Sequence, residues 1–411
     1  MCIRDSNYEH PVVYVPDASR AVGVASNLLS DDQREGYVRQ LREEYAAVRE
    51  RRAGVNEARN LIPIEEARAN PTPIDWSTQA PVTPRLCQTD FNTPEGARVI
   101  RLADNNAAAS LLVLEDIPLE EVAGYIDWTF FFHAWQLKGR YPQILDDEHK
   151  GEEARKLFDD AQAMLVKVVD EQWLRAAAVI GLFPANADGD DIQVYADGNR
   201  QQVLTRFHNL RKQGRQPEGK YNECLSDYVA PADSGKSDYL GAFACTAGIG
   251  IDHKLAEFEQ DHDDYHAIML KALADRLAEA LAEWLHERVR SDYWGYAADE
   301  SLSNEELIAE QYSGIRPAMG YPASPDHTEK DLLWDLLSVQ DNTGMWLTES
   351  KAMVPTAAVS GLYFSHPESR YFAVGKLNKD QVADYADRKG MPLTEAERWL
   401  APNLAYEPEG D

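Results

Sequence analysis

The sequence predicts an α+β fold, an antiparallel or mixed sheet with long flanking helices, and three observations predict it. Leu157, Ala161, Leu165, Val168 and Val169 keep helical spacing through Glu152–Trp173. Short apolar runs at Val179–Phe183, Ile192–Tyr195 and Tyr239–Thr246 read as buried strands, the first two flanking a turn at Asp188-Gly189. From Leu255 to Val289, Leu255, Phe258, Tyr265, Ile268, Ala272, Leu277, Leu281, Trp284 and Leu285 hold one face apolar, which predicts a long helix as the spine of the fold.

The remaining elements follow in order. Met1 to Ser6 fits no pattern. Val12–Val15 is a short strand signal, and a small-residue helix follows from Asp17 to about Leu29. Ser30 and Gln33 mark the start of a charged helix that runs to about Glu50. Arg51 to Pro84 carries Pro63, Pro71, Pro73, Pro81 and Pro84 with little periodicity and reads as a linker. One strand is expected at Ser110–Leu114, and Pro118 opens a helix holding Ile126, Trp128 and Phe131. Beyond the spine, strands are expected near Met345–Leu347, Gly361–Phe364 and Tyr371–Val374, and a helix at Lys379–Arg388. No internal repeat appears.

Composition excludes several function classes. With 411 residues, 44% of them hydrophobic, the chain can bury a large core divided among two or three domains at most. A net charge of −29 disfavours nucleic acid. No stretch reaches the roughly 18 to 20 apolar residues of a membrane span, so a cytoplasmic location is expected. Cys2, Cys87, Cys224 and Cys245 lack CxxC pairing, so neither a zinc site nor a disulfide framework is indicated. Gly235-Lys236-Ser237 lacks the upstream glycine of a phosphate loop, because Ala230 stands there. His262 and His266, at i and i+4, have no third ligand, and no metal is expected.

Three features could carry chemistry. Arg316 to His327 contains three prolines and must run extended, as a surface loop or as a ligand-binding ledge whose guanidinium clamps a carboxylate. Asp275 and Glu279 share one helix face, as a solvated acidic stripe or as the counterpart of a positive ligand. Asp127 interrupts the aromatic cluster of Tyr125, Trp128, Phe130, Phe131, Phe132 and Trp135, so it needs a protein donor or a ligand amine.

Ten phrases resemble the C-terminal region of cobalamin-dependent methionine synthase. Among them are Asp127-Trp-Thr129, Gly181-Leu-Phe-Pro-Ala-Asn186, Ala272-Leu-Ala-Asp-Arg-Leu-Ala-Glu279, His286-Glu-Arg-Val-Arg290, Gly314-Ile-Arg-Pro-Ala318, Gly320-Tyr-Pro-Ala323 and His327-Thr-Glu-Lys330. They occur in family order over nearly all the chain after Glu120. The resemblance implies an activation-domain-like fold that binds S-adenosylmethionine (AdoMet) and supports reductive methylation of cob(II)alamin, while a flavodoxin-like protein or flavoprotein reductase supplies the electron. It implies Asp127, Glu279 and Arg316 as polar AdoMet ligands, and Ala318, Tyr371 and Phe372 along the adenosyl group. Tyr321 would be presented to the cobalamin upper face, the catalytic position, and Asp275 is a weaker candidate near the same surface.

Residues 1–50 then resemble the end of an α/β cobalamin-binding domain, a strand-helix remnant in which Ala18 touches the cobalamin nucleotide tail. Residues 51–84 are the linker and 85–411 the AdoMet-binding activation domain. The family's Asp-x-His-x-x-Gly motif, its folate domain and its zinc-bearing homocysteine domain are missing, so a fragment of a longer methyltransferase is expected, docking on its own cobalamin domain. The alternative is a free-standing, non-catalytic reactivation subunit. The electron donor is itself expected to be acidic, so a local basic patch is expected, with Arg288, Arg290 and Lys330 as its candidates. Departures from the family are Phe130 in place of Pro, Ser324 in place of Cys, and a longer stretch at Thr89–Ile117 that reads as an added surface element.

Overall fold

The computed structural model describes residues 13, 24–25, 27–30, 33–53, 60–103 and 108–408. The Val12–Val15 strand, except Val13, and Ala18 lie outside the described residues. The helices are α1 Arg34–Ala53, α2 Ile64–Arg68, α3 Leu119–Ala123, α4 Trp128–Ala134, α5 Gly151–Asp170 and α6 Ile251–Gln260. They continue as α7 Asp264–Arg288, α8 Asn304–Ile308, α9 Glu329–Leu337, α10 Val339–Thr343, α11 Lys379–Lys389 and α12 Leu393–Trp399.

Among the described residues the centre is a seven-stranded sheet of β1 Ala97–Arg101, β2 Ser110–Ile117, β3 Arg175–Asp188, β4 Asp191–Tyr195, β5 Val203–His208, β6 Asp238–Ile249 and β9 Ala358–Tyr363. A separate two-stranded ribbon pairs β7 Trp346–Leu347 with β8 Met353–Val354. Every strand pairing in the main sheet is antiparallel. The axis is β3, with β6 along one edge in register from Ala177↔Thr246 to Ala185↔Asp238. On its other edge, β2 covers the first half (Leu182↔Ser110) and β4 the second (Ala185↔Val194). Beyond β6 lies β9, which carries one wall of the site.

The strands read as near-continuous apolar runs because the sheet is covered on both faces. Alternation places Ala178, Ile180, Leu182, Phe243 and Cys245 in the core under α7. Val179, Phe183, Leu240, Ala242 and Ala244 pack on the opposite side with Leu333, Leu337 and Val339 of α9 and α10. A smaller cluster joins Val374 and Leu377 to α11 and α12.

Four expectations are corrected. The Leu255–Val289 helix is two helices, broken where His262 takes a left-handed φ of 55° and Asp263 caps α7 by accepting the His266 amide at 3.1 Å. His262 and His266 therefore do not share a helix face. Thr89–Ile117 is no surface addition, since it supplies β1 and the buried strand β2. Tyr371–Val374 is not a strand, because Val374 N–H donates to the Pro322 carbonyl (2.9 Å) in the site wall instead of a ladder. Finally, the stretch read as linker is docked from Asn60 onward. Ile62, Ile64 and Ala67 form a buried cluster, Ile64 N–H donates to Asp380 (2.8 Å), and Arg68 pairs with Asp190 (2.8 Å) and Asp384 (2.6 Å).

Candidate functional site

The site is built where α7 faces the extended segment after Ile315. Gly314 permits that segment's sharp entry: its φ is +86°, and a Cβ there would lie 2.5 Å from the Phe364 carbonyl. Ile315 and Phe364 then exchange backbone bonds of 3.0 and 2.9 Å, and the Leu362 amide donates to the Pro317 carbonyl at 2.9 Å. The proline-rich stretch is thus a ledge seated on the end of β9 and partly paired with it, not an isolated surface loop. Gly361 allows the close approach, because a Cβ there would stand 2.6 Å from the Pro317 oxygen.

Two adjoining cavities, of about 390 and 360 Å³, share Glu279, Glu310 and Arg316. The first is also lined by Asp127, Phe130, Arg276 and Glu283, and the second by Ala318, Tyr321, Lys330, Tyr371 and Phe372. Every residue singled out for AdoMet, and Tyr321, therefore borders one or both of these two adjoining cavities. Asp127 caps α4, its Oδ1 accepting the Thr129 amide at 2.9 Å. That bond is the protein donor its aromatic surroundings demanded. Tyr321 stands at the lip, 62% exposed, on a turn closed by the Ser324 amide to its carbonyl (2.9 Å).

Arg316 is held more firmly than its sequence context suggested. Nη2 donates to Glu283 at 2.6 Å, while Nη1 reaches the Tyr312 hydroxyl at 2.8 Å and His286 Nδ1 at 3.1 Å. Its backbone amide donates to the Tyr371 hydroxyl at 3.0 Å, so Tyr371 ties the ledge as well as lining the cavity. Burial works against the guanidinium's charge, but Glu283, Tyr312 and Tyr371 together outweigh it and hold the pKa above the ordinary value. Three of its five N–H donors are engaged, which leaves two for a ligand.

In the first cavity the four carboxylates of Asp127, Glu279, Glu283 and Glu310 face the two guanidinium groups of Arg276 and Arg316. That excess of two negative charges suits a ligand carrying a carboxylate together with an ammonium and another cationic centre. The second cavity is a more apolar shelf formed by Pro317, Ala318, Met319, Val359, Tyr371 and Phe372. Among the described residues no cluster has the makings of a metal site.

Sequence reasoning missed Glu283, His286, Glu310 and Tyr312. A signal existed for two of them: Glu279, Glu283 and His286 stand at i, i+4 and i+7, one face of α7. The candidate basic patch is not assembled. Arg290 is fully buried and paired with Glu300 at 2.7 Å, Lys330 is buried, and Arg288 lies 3.5 Å over the Trp284 ring and pairs with Glu121.

The chain is similar to known proteins in these same regions. Residues 118–390 match the model of the vitamin B12 dependent methionine synthase activation domain. A crystal structure described as the MetH reactivation domain bound to AdoHcy is 52% identical, with a TM-score of 0.76 over 84% of this chain and 99% of that one. The antiparallel sheet under α7 and the cleft on its ledge are thus parts of a member of that family: the chain belongs to the vitamin B12-dependent methionine synthase activation domains.

Proposed function

We propose that the cleft binds AdoMet and that the chain supports reductive methylation of cobalamin held by a neighbouring domain, as part of a cytoplasmic cobalamin-dependent methionine synthase. The observation that carries this reading is the single cavity lined by Asp127, Glu279 and Arg316, adjoining a second, more apolar one through Glu279 and Arg316. The bound AdoHcy of the similar reactivation domain, which is AdoMet without its methyl group, adds support.

The residues fit such a ligand in chemical terms. The two free N–H donors of Arg316 meet the amino-acid carboxylate, and the carboxylates around them favour the ammonium and sulfonium. Ala318, Tyr371 and Phe372 take the adenosyl group. Exposed Tyr321 faces outward, toward the surface where a cobalamin domain docks. Cobalamin, when bound there, supplies the metal-centred nucleophile that takes the methyl group. What this chain contributes is position: it holds the donor on a ledge fixed to β9, and proximity of that kind lowers a transfer barrier without further chemistry. The electron comes from a flavodoxin-like or flavoprotein partner.

Calorimetric titration of the purified chain with AdoMet tests the reading. One binding site is expected, weakened by about 2–4 kcal/mol in Arg316→Ala, the cost of losing a charge-assisted contact and leaving a carboxylate unpaired. Absence of binding by the wild type, or unchanged affinity in the variant, would reject it.

A further inference from the structure

Behind Arg316 lies a wholly buried imidazole whose surroundings dictate its protonation. His286 is stacked on Tyr363, with ring centroids 5.2 Å apart and planes 14° from parallel, and the Tyr312 ring meets it edge-on at 4.8 Å. Its Nδ1 lies 3.1 Å from Arg316 Nη1, and its Nε2 lies 3.4 Å from the Tyr296 hydroxyl. A guanidinium has donors only, so Nδ1 must offer a lone pair and the single ring proton sits on Nε2. The charged and titratable groups around the ring are Arg316, Arg290, Glu283, Tyr296, Tyr312 and Tyr363. Burial, then Arg316 and Arg290, push its pKa well below the ordinary value, in keeping with a neutral ring.

Glu283 completes the arrangement. One oxygen binds Arg316 Nη2 at 2.6 Å and the other lies 3.8 Å from Arg290 Nη1, so the carboxylate is shared between two arginines. Arg290 is in turn covered by the Tyr312 ring at 4.2 Å and anchored by Glu300. Three separate groups therefore fix the plane of Arg316, and only the imidazole among them could lose its accepting role by gaining a proton.

We infer that His286 is a positioning residue: as the neutral, Nε2-protonated tautomer it accepts one Arg316 N–H through Nδ1. With Glu283 and Tyr312 it fixes the guanidinium so that its Nε–H and one Nη2–H remain for the ligand carboxylate. The inference rests on the AdoMet reading above.

Two variants separate this role from simple filling of space. His286→Phe keeps an aromatic ring for Tyr363 to stack on but removes the acceptor, whereas His286→Asn keeps an oxygen acceptor near the Nδ1 position. AdoMet affinity by calorimetry is expected to fall about tenfold or more in His286→Phe, the loss of one hydrogen bond to a charged group, and to return to within about threefold of wild type in His286→Asn. Equal affinity in His286→Phe and wild type, or equal loss in both variants, overturns the inference. Because His286→Phe could fail to fold, ¹⁵N-histidine NMR of the wild-type chain gives a second measurement, with the His286 signals assigned by their absence in His286→Asn. A neutral ring protonated on Nε2 is expected from pH 7 down to about pH 5.5, well below the point where a free imidazole takes up its second proton. A doubly protonated ring or the Nδ1–H tautomer overturns the inference. Absence of AdoMet binding by the wild type rejects the functional reading instead, and the tautomer still decides whether Arg316 is held in this way.

Discussion

Asp127 combines a helix cap with a charge at the edge of the first cavity, and the two can be separated by substitution. Its Oδ1 accepts the Thr129 amide at the start of α4, and the side chain also borders the first cavity. Asn caps a helix nearly as well as Asp, whereas Ala does not. Asp127→Ala is therefore expected to cost about 1 kcal/mol of stability, and Asp127→Asn only a few tenths. If the charge serves the ligand's cationic groups, both variants lose AdoMet affinity to a similar degree although only one loses stability. Parallel urea unfolding and calorimetry would decide it, and full affinity in Asp127→Asn would leave Asp127 as a cap alone. At this scale the site was legible in part. Asp127 stood out because a lone acid among aromatics demands a partner, and Arg316 as a cation before prolines; Glu279, on a helix face that reads equally as a solvated acidic stripe, stood out through the family resemblance. Spacing places His286 on the helix face of Glu279 and Glu283, but that spacing does not reveal its role until Arg316, remote in sequence, is brought against it.

The ledge is the element on which the site depends, and its position is set by a glycine on another strand. Gly361 of β9 sits beneath Pro317, whose carbonyl accepts the Leu362 amide at 2.9 Å. A methyl group at Gly361 would stand 2.6 Å from that oxygen and 3.2 Å from the Phe243 ring, so Gly361→Ala must push the ledge away from the sheet. A stability loss of about 1–3 kcal/mol is expected from the overpacking, with AdoMet affinity falling about tenfold, or about 1.4 kcal/mol. A destabilised variant with unchanged affinity would show that β9 does not set the ledge. Proline content announced that this segment runs extended, and apolar runs announced β3, β6 and β9. The break between α6 and α7 was not legible: the apolar residues keep their spacing across it, and only the left-handed backbone at His262 and the Asp263 cap interrupt the helix. The stretch at Tyr371–Val374 deceived in the opposite sense, since its apolar residues serve a cavity wall and the third core cluster and not a sheet.

Across the whole molecule, charges buried far apart in the sequence tie the pieces together and give stability a dependence on pH. Arg68, in the stretch that reads as linker, joins Asp190 of the β3–β4 turn to Asp384 of α11, and buried Arg211 joins Asp190 to Asp227. Such long-range pairs leave no local signal, which is why proline-rich residues 60–84 read as detached while they pack on the domain. Buried His286 adds a titration to this network. In the unfolded chain a histidine takes up its proton near pH 6.5, whereas burial, then Arg316 and Arg290, hold the folded imidazole neutral to well below that. The stability linked to His286 is therefore complete above about pH 6.5 and is lost as pH falls, by about 2 kcal/mol at pH 5 if the ring stays neutral there. His327 and His366, also lowered by burial, add to the loss with the same sign. Asp238 opposes them: burial raises its pKa to about 6, so the folded chain is protonated first and regains about 1 kcal/mol between pH 6 and 5, and Asp191 and Asp275, raised by burial, act in the same direction. Because the histidines and the buried aspartates act with opposite signs, the His286 share is read as a difference between wild type and a variant at pH 5 and pH 7. In His286→Asn, the change in unfolding free energy between those pH values should shift by about 2 kcal/mol toward greater stability at pH 5, whatever the variant loses at pH 7. Urea unfolding of both proteins at the two pH values measures this, and an identical pH dependence would mean that His286 does not stay neutral in the folded chain.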